Sequence, residues 1–341
     1  MSRQSEAAQA SPTYIYIAGR GHSGSTLLTL LLARHPRIAA IGELSLLSLQ
    51  IARDESTRWV GLCSCGERPM DCPVWGRILK EVENDENLDI KRKPFSWRVS
   101  DVGMEEEYRN SAPLRVPFVW LRHCLWRLVR YLQYLSPLGL GKLASIYKPQ
   151  SAWAKNRSRV VSRLAAINDV DAIVDASKDS LDMLDVYYHS TVPVKIIFLT
   201  RDSRGNVWSM LKRLKAGMSR DDNVAPAARE WVKVNGRIWQ LVQQVPNADC
   251  MHLRYEDLCR NPRDVMNRLF EFAGLDAFDV VSARDESDRE AHTIGGNKIR
   301  FSSEPLNIRE DTAWSQNLTD QELRTIRAIA GPLSDELGYE R

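Results

Sequence analysis

No stretch of this 341-residue chain approaches the ~20 uninterrupted apolar residues that a membrane span needs, so no transmembrane helix is read from it. Its first dozen residues, "MSRQSEAAQASP", lack the apolar centre of a secretory signal and read as a disordered tail over 1–12. Strong charge of either sign is missing too. With 47 Lys and Arg against 44 Asp and Glu, the formal balance is only +3, and no nucleic-acid partner follows from it. Cysteine is sparse: six in a chain of this length cannot form a disulfide scaffold, which leaves a soluble, cytoplasmic protein as the expectation. Internal repeats and low-complexity segments are also lacking, and nothing in the sequence bears on oligomeric state.

What is there is an alternation of apolar runs and amphipathic stretches. Strands are expected at Tyr14–Ala18, in "IAAIGE", in "DAIVDAS" (171–177), in "VPVKIIFLT" (192–200) and in "DCMHLRY" (249–255). Helical patterns follow them, and near-continuous apolar strands alternating with helices predict a parallel sheet covered on both faces. From about 51 to 168 the pattern changes to charged, tryptophan-rich helical segments broken by Pro and Gly, with no clear strand. The organisation expected is one α/β domain over 13–341, with a helical insertion at about 51–168 after the first strands.

Between the first strand and its helix lies "GRGHSGST", residues 19–26. The strand, glycine turn and helix order is that of a phosphate-binding loop, whose backbone amides at a helix N-terminus hold an anion. The spacing from Gly19 to Gly24 and the presence of Thr26 match the nucleotide-triphosphate loop G-x-x-x-x-G-K-[ST]. Ser25, however, occupies the lysine slot. Ser23, Ser25 and Thr26 offer hydroxyl donors to a phosphate or sulfate. A second element, "TRDSRGNVWSM", begins where the "KIIFL" strand ends, at the sheet edge where doubly wound folds bind ligands. Arg201 ends that strand, and Ser209 lies two turns into the next helix. A guanidinium and a hydroxyl reaching one point suit a second phosphate; the plain alternative is a surface Arg201 paired with Asp202.

Together these elements resemble the sulfotransferase family, whose donor is 3′-phosphoadenosine-5′-phosphosulfate (PAPS). Its [KR]-S-G-[ST]-T loop for the 5′-phosphosulfate is similar to "HSGST", and its R-x7-S pair for the 3′-phosphate is similar to Arg201 and Ser209. "LRYEDL" resembles the segment whose tyrosine lies beside the adenine, which implies that role for Tyr255. "HTIGGNKIRF" (292–301) looks like the late glycine-rich loop closing over the donor, and "DASKDS" puts Lys178 where relatives keep a lysine near the sulfuryl group. The resemblance covers 13–45, 170–275 and 290–340. It implies a P-loop-like core, no metal, and a donor site of Arg20, Gly21, His22, Ser23, Gly24, Ser25, Thr26, Arg201, Ser209, Tyr255, Gly295, Gly296, Asn297, Lys298 and Arg300. His22 departs from the family's Lys or Arg, leaving open whether His22 or Arg20 carries the loop's positive charge. Bound phosphosulfate would favour the imidazolium, with activity falling above neutral pH.

For the proton of the acceptor hydroxyl the base expected is Glu43, just past the "IAAIG" strand, where glycan- and tyrosine-directed members keep a glutamate. Its plain alternative is a first-turn glutamate favouring a helix dipole. Lys178 is the second catalytic candidate, unless "KDS" merely caps the next helix. His292 is a further base candidate. The expected reaction moves a sulfuryl group to a hydroxyl of a glycolipid, glycan or secondary metabolite, releasing 3′,5′-adenosine bisphosphate. Rival readings are a Mg-dependent kinase or NTPase, and a PAPS-binding, membrane-associated protein without turnover.

Two features remain outside that scheme. Cys63, Cys65 and Cys72 form a C-x-C-x6-C cluster, and with no fourth ligand nearby in sequence a structural thiol role is expected over zinc. In "VWLRHCLWRLVRYLQYL" (119–135), Arg122, His123, Arg127, Arg130 and Gln133 share one helix side. That side offers a docking face for a membrane or an anionic acceptor; an ordinary core-facing helix with a solvated basic side is the favoured reading.

Overall fold

The structure, a computed structural model, describes residues 11–52, 61–102, 148–214, 217–282, 291–301, 306 and 308–339, with four further positions at 121, 124, 125 and 128. In chain order the elements are β1 (Thr13–Ala18), α1 (Ser25–Leu32), β2 (Ile38–Gly42), a 3₁₀ turn (Leu44–Leu46), α2 (Leu47–Ala52), α3 (Pro73–Glu86) and α4 (Lys148–Asn168). Then come β3 (Ala172–Lys178), α5 (Ser180–His189), β4 (Val194–Thr200), α6 (Ser203–Leu211), α7 (Asp221–Val242) and β5 (Cys250–Arg254). The chain continues through α8 (Tyr255–Arg260), α9 (Pro262–Phe272), a 3₁₀ turn (Lys298–Phe301), α10 (Trp314–Asn317) and α11 (Asp320–Glu336).

The five strands form one parallel sheet in the order β2-β3-β1-β4-β5. Alternate residues of β1 serve two apolar cores: Tyr14, Tyr16 and Ala18 on one face, Ile15 and Ile17 on the other. This two-sided burial is why the strands read as continuous apolar runs. α1 and α9 pack on the second face with Leu28, Leu31, Met266 and Phe270, while α3, α4, α5, α7 and α11 cover the first. The fold expected from the sequence is the fold observed. From β1 the chain moves outward to β2, and from β4 it moves the opposite way to β5, so the reversal falls between the adjacent strands β1 and β4. The crevice at their C-terminal ends is where such sheets bind ligands.

Between β2 and β3, α3 and α4 are helical and no strand occurs among the described residues, as expected for 51–168. α4 is tied to the sheet by a buried charge cluster. Arg157 donates through Nη1 to Asp175 Oδ2 at 2.9 Å and through Nη2 to Asp182 Oδ2 at 2.5 Å. Tyr14 Oη donates to the same Asp175 oxygen at 2.6 Å. The 119–135 helix, proposed from sequence as a docking face, lies outside the described residues apart from four positions, as does the 1–12 tail apart from its last two. Among the described residues no helix is long and apolar enough to cross a membrane.

Candidate active site

The loop after β1 is built to leave backbone donors free. Gly24 forms the N-cap of α1 with φ 88°, no side chain caps that end, and no acidic residue occupies the first turn. The amides there have the geometry and dipole to receive an anion. Gly24 also cannot be replaced by a larger residue: a methyl group on it would lie 2.5 Å from Cδ2 of the Tyr255 ring. Ser23 and Ser25 are buried and Thr26 is half-buried. His22 holds a left-handed φ of 69°, and Lys178 a φ of 69°. Of the four non-glycine residues with positive φ among the described residues, one therefore lies in this loop and another beside it, and such strain concentrates at functional sites.

Arg20 and His22, the loop's two candidate cations, sit in different surroundings. Arg20 is buried and donates through Nη1 to Asn206 Oδ1 at 2.9 Å, with Met210 Sδ at 3.0 Å. Asn206 Nδ2 in turn donates to the carbonyl of Gly21 at 3.0 Å. Arg20 is thus engaged in fastening the loop to α6. Burial, with the charges of Arg213, Arg20, Lys178 and Arg201 around it, pushes the His22 imidazole down to about 4.

Arg201, at the end of β4, meets this loop from the other side of the crevice. Its Nη1 donates to the carbonyl of His22 at 3.3 Å, and its guanidinium lies 4.8 Å from the Tyr255 ring centroid. Its Nη2 donates to both the carbonyl and Oδ2 of Asp311 at 3.1 Å. The alternative of an Arg201–Asp202 surface pair does not occur: Asp202 instead caps α6 and pairs with Arg204. The Arg201 side chain passes over Gly205, where a methyl group would be 3.0 Å from Nε. Ser209, one helical turn further, shares that face and is half-buried. Tyr255 Oη donates to the carbonyl of Arg309 at 3.0 Å, which fixes the ring between Gly24 and Arg201.

On the opposite side of the loop, Glu43 emerges where β2 ends. Gly42, at φ 79°, lets Ile294 pair alongside it; a methyl on Gly42 would be 2.1 Å from the Ile294 carbonyl oxygen. Glu43 N–H donates to that same carbonyl at 2.6 Å. The Glu43 carboxylate pairs with the Lys178 ammonium, each side chain retaining 19% exposure. The cap of α5 is Asp179, whose Oδ1 accepts from the amides of Leu181 and Asp182, so Lys178 has no capping duty. A methyl on Gly296 would lie 3.9 Å from Glu43 Oε1 and 4.0 Å from Thr26 Oγ1. Glu43, Thr26 and the late glycine loop therefore converge.

The structure brings together Arg20 to Thr26, Glu43, Lys178, Arg201, Tyr255, Gly295 and Gly296. It sets Asn297 and Lys298 on an exposed turn, and Arg300 donates to the carbonyls of Thr293 and Leu62 at 2.6 and 2.7 Å. His292 lies with its Nδ1 3.2 Å from Cys72 Sγ, among the thiols. No fourth ligand is local in sequence, as expected, but the fold brings His292 to the three cysteines from 220 residues beyond Cys72. Three supporting residues escaped the sequence reading: Asn206, Asp311, and Glu256, whose Oε1 accepts from the Asp202 amide at 3.0 Å. Asn206 shares a helix with Ser209, five residues after Arg201, and only its polarity on a buried face marked it. Asp311 lies in irregular chain and carried no signal.

Comparison with known proteins follows the same lines. Residues 175–279 match the Sulfotransferase family profile. Protein-tyrosine sulfotransferase 2 of Gallus gallus is 24% identical over 151 residues, which span 43% of this chain and 40% of that protein. Protein-tyrosine sulfotransferase of Drosophila melanogaster is 22% identical over 151 residues, 43% of this chain and 30% of that protein. The chain thus aligns with well under half the length of either relative. Among solved structures, the sulfotransferase domain of the Synechococcus PCC 7002 olefin synthase superposes with a TM-score of 0.46 at 17% identity, covering 95% of this chain and 96% of that one. The sulfotransferase domain of the curacin biosynthetic pathway gives a TM-score of 0.46 at 16% identity, covering 97% and 99%.

Proposed function

We propose that this chain, which matches the sulfotransferase family profile over 175–279, is itself a sulfotransferase that transfers a sulfuryl group from PAPS to an acceptor hydroxyl. One observation carries the reading. Two anion-binding elements, the capless N-terminus of α1 and Arg201, meet across the ring of Tyr255, with Arg201 touching the His22 carbonyl. Such a pair suits one ligand with anionic groups at both ends and a flat base between them. The residues fit that ligand: uncapped amides, three hydroxyls at Ser23, Ser25 and Thr26, and an imidazole ringed by cations. Ser25 in the lysine slot favours this donor over a nucleoside triphosphate held through Mg²⁺.

When bound, PAPS supplies an electrophilic sulfuryl group with adenosine bisphosphate as its leaving group. The α1 amides, with Thr26, would hold the phosphosulfate end, and Arg201 with Ser209 the 3′-phosphate. Glu43 would accept the acceptor's hydroxyl proton, held in place by Lys178 and by its own amide's bond to Ile294. Residues 13–341 would act as one catalytic domain, the insertion at about 51–168 forming the acceptor side. The named relatives act on protein tyrosine, and a phenol joins the glycolipid, glycan and secondary-metabolite hydroxyls as acceptor classes.

The test pairs binding with transfer. Calorimetry with 3′,5′-adenosine bisphosphate should show tight binding that Arg201→Ala weakens about 10- to 100-fold, as expected for losing a charge-assisted contact. Sulfate transfer from labelled PAPS across a panel of phenol, sugar and lipid hydroxyls should then yield a mass-shifted product without added metal. Unchanged binding in Arg201→Ala, or Mg-dependent ATP turnover in place of sulfate transfer, would overturn the reading.

A further inference from the structure

The cysteine cluster lies apart from the chemistry just described, and its geometry is specific. Cys63 and Cys65 sit in a tight turn closed by the Gly66 amide donating to the Cys63 carbonyl at 2.9 Å and the Cys63 amide to the Glu67 carbonyl at 2.7 Å. Cys72 is the N-cap of α3, where its sulfur accepts from the Trp75 amide at 3.5 Å. His292 arrives from the late loop, its carbonyl accepting from Trp75 Nε1 at 2.8 Å. The three sulfurs and one imidazole nitrogen all lie within 4.8 Å of one another, and Cys63 and Cys72 are buried.

Among Cys63, Cys72 and His292 the separations are close to the edges of a metal tetrahedron. Zinc bound to thiolates at ~2.3 Å and to imidazole at ~2.05 Å spans ~3.8 Å between sulfurs and ~3.6 Å between sulfur and nitrogen. Here the Cys63 and Cys72 sulfurs are 3.7 Å apart, with His292 Nδ1 3.8 Å from Cys63 and 3.2 Å from Cys72. All six cysteines are free thiols, so the ligands are available. Four soft and borderline donors with no carboxylate among them favour zinc over magnesium or calcium.

We propose that Cys63, Cys65, Cys72 and His292 form a structural zinc site. Binding replaces the protons of three thiols, so three H⁺ leave as one Zn²⁺ enters, and the neutral imidazole completes the shell. All four positions are filled by protein, which is the closed arrangement of a structural rather than a catalytic ion. The site joins the 61–72 segment to the late glycine loop. That junction is already laced by the Ser64 amide donating to the Thr293 carbonyl at 3.1 Å, the Thr293 amide donating to Ser64 Oγ at 2.8 Å, and the Arg300 contact to Leu62. Two residues beyond His292, Ile294 pairs with Gly42 and receives the Glu43 amide. The ion therefore anchors the strip of chain against which Glu43 is set, whatever the donor or acceptor is.

The experiment is metal analysis of the full chain, purified without a histidine tag under reducing conditions and dialysed against weak chelator. We expect one zinc per chain by plasma mass spectrometry, lost in Cys72→Ser and in His292→Ala. To separate lost ligation from lost folding, the wild-type chain is also loaded with Co²⁺. Its spectrum should show thiolate-to-cobalt charge transfer with tetrahedral ligand-field bands, and zinc-edge absorption should give three sulfurs at ~2.3 Å and one nitrogen at ~2.0 Å. A folded wild-type chain that takes up no zinc, a Cys63–Cys72 disulfide in its place, or a shell of nitrogen and oxygen alone would overturn the proposal. Each result is independent of sulfate transfer, so this site and the donor site stand or fall separately.

Discussion

His22 occupies the centre of the loop, where burial first, and then the charges of Arg213, Arg20, Lys178 and Arg201, raise the cost of its protonation. Its imidazole is held near 4, well below the ordinary histidine value, so it is neutral at pH 7. A bisphosphate bound among these cations reverses their effect and raises the imidazole's pKa. A group whose pKa rises on binding makes binding tighter as pH falls and draws a proton from solvent. Calorimetry at pH 6 in two buffers of different ionisation enthalpy should therefore show proton uptake on binding 3′,5′-adenosine bisphosphate, abolished in His22→Gln. Glu43→Gln should leave that affinity within a few-fold and lower kcat by ~10²–10⁴, the usual worth of a positioned base. Equal turnover would remove Glu43 from proton transfer. At this scale the sequence exposed the loop, Glu43, Arg201 and Tyr255, since each sits beside a strand end or in a recognisable spacing. It did not expose Asp311 or Asn206, whose meaning is given only by what folds against them.

Among the elements, α4 shows how the insertion is fastened to the sheet. Arg157 is 1% exposed and faces Asp175 and Asp182, so removing it strands two carboxylates in the interior. Breaking a buried pair in this way costs ~3–5 kcal/mol. Arg157→Ala should accordingly lower the urea midpoint by that amount in free-energy terms, while Arg159→Ala, whose partners are part-exposed, should cost less than ~1 kcal/mol. Equal losses would mean that the buried cluster is not what holds α4. The strands were legible to within a residue or two, because burial on both faces makes each a continuous apolar run: 171–177 against Ala172–Lys178, and 249–255 against Cys250–Arg254. The fourth ligand of the cysteine cluster was not legible. It comes from an element 220 residues away, delivered by the bridge of Ile294 to Gly42, and no local spacing encodes such a meeting.

For the molecule as a whole, acid sensitivity follows from where its histidines are buried. His22 and His252 are each pushed to about 4, His252 mainly by burial on β5 against Phe198 of β4 and Trp239 of α7, with Arg254 adding to it. The unfolded chain protonates these groups near 6.5 while the folded chain resists until about 4. The unfolded state thus binds more protons in that window, and stability present above pH 6.5 is lost as pH falls towards 4. Urea unfolding at pH 7 and pH 5 should show the drop, and His252→Asn should shallow it. A slope unaltered in His252→Asn would place the acid sensitivity elsewhere.

β1 lies in the middle of the sheet, with two strands on either side of it. Its loss would not trim a margin; it would sever the sheet into two ribbons, β2-β3 and β4-β5, each too narrow to bury its faces. The stretch from 175 to 279 that matches the family profile is therefore no free-standing module, since it contains neither this keystone nor the loop hung from it. Any fragment or fusion that is to keep the crevice must carry the chain from its thirteenth residue onward.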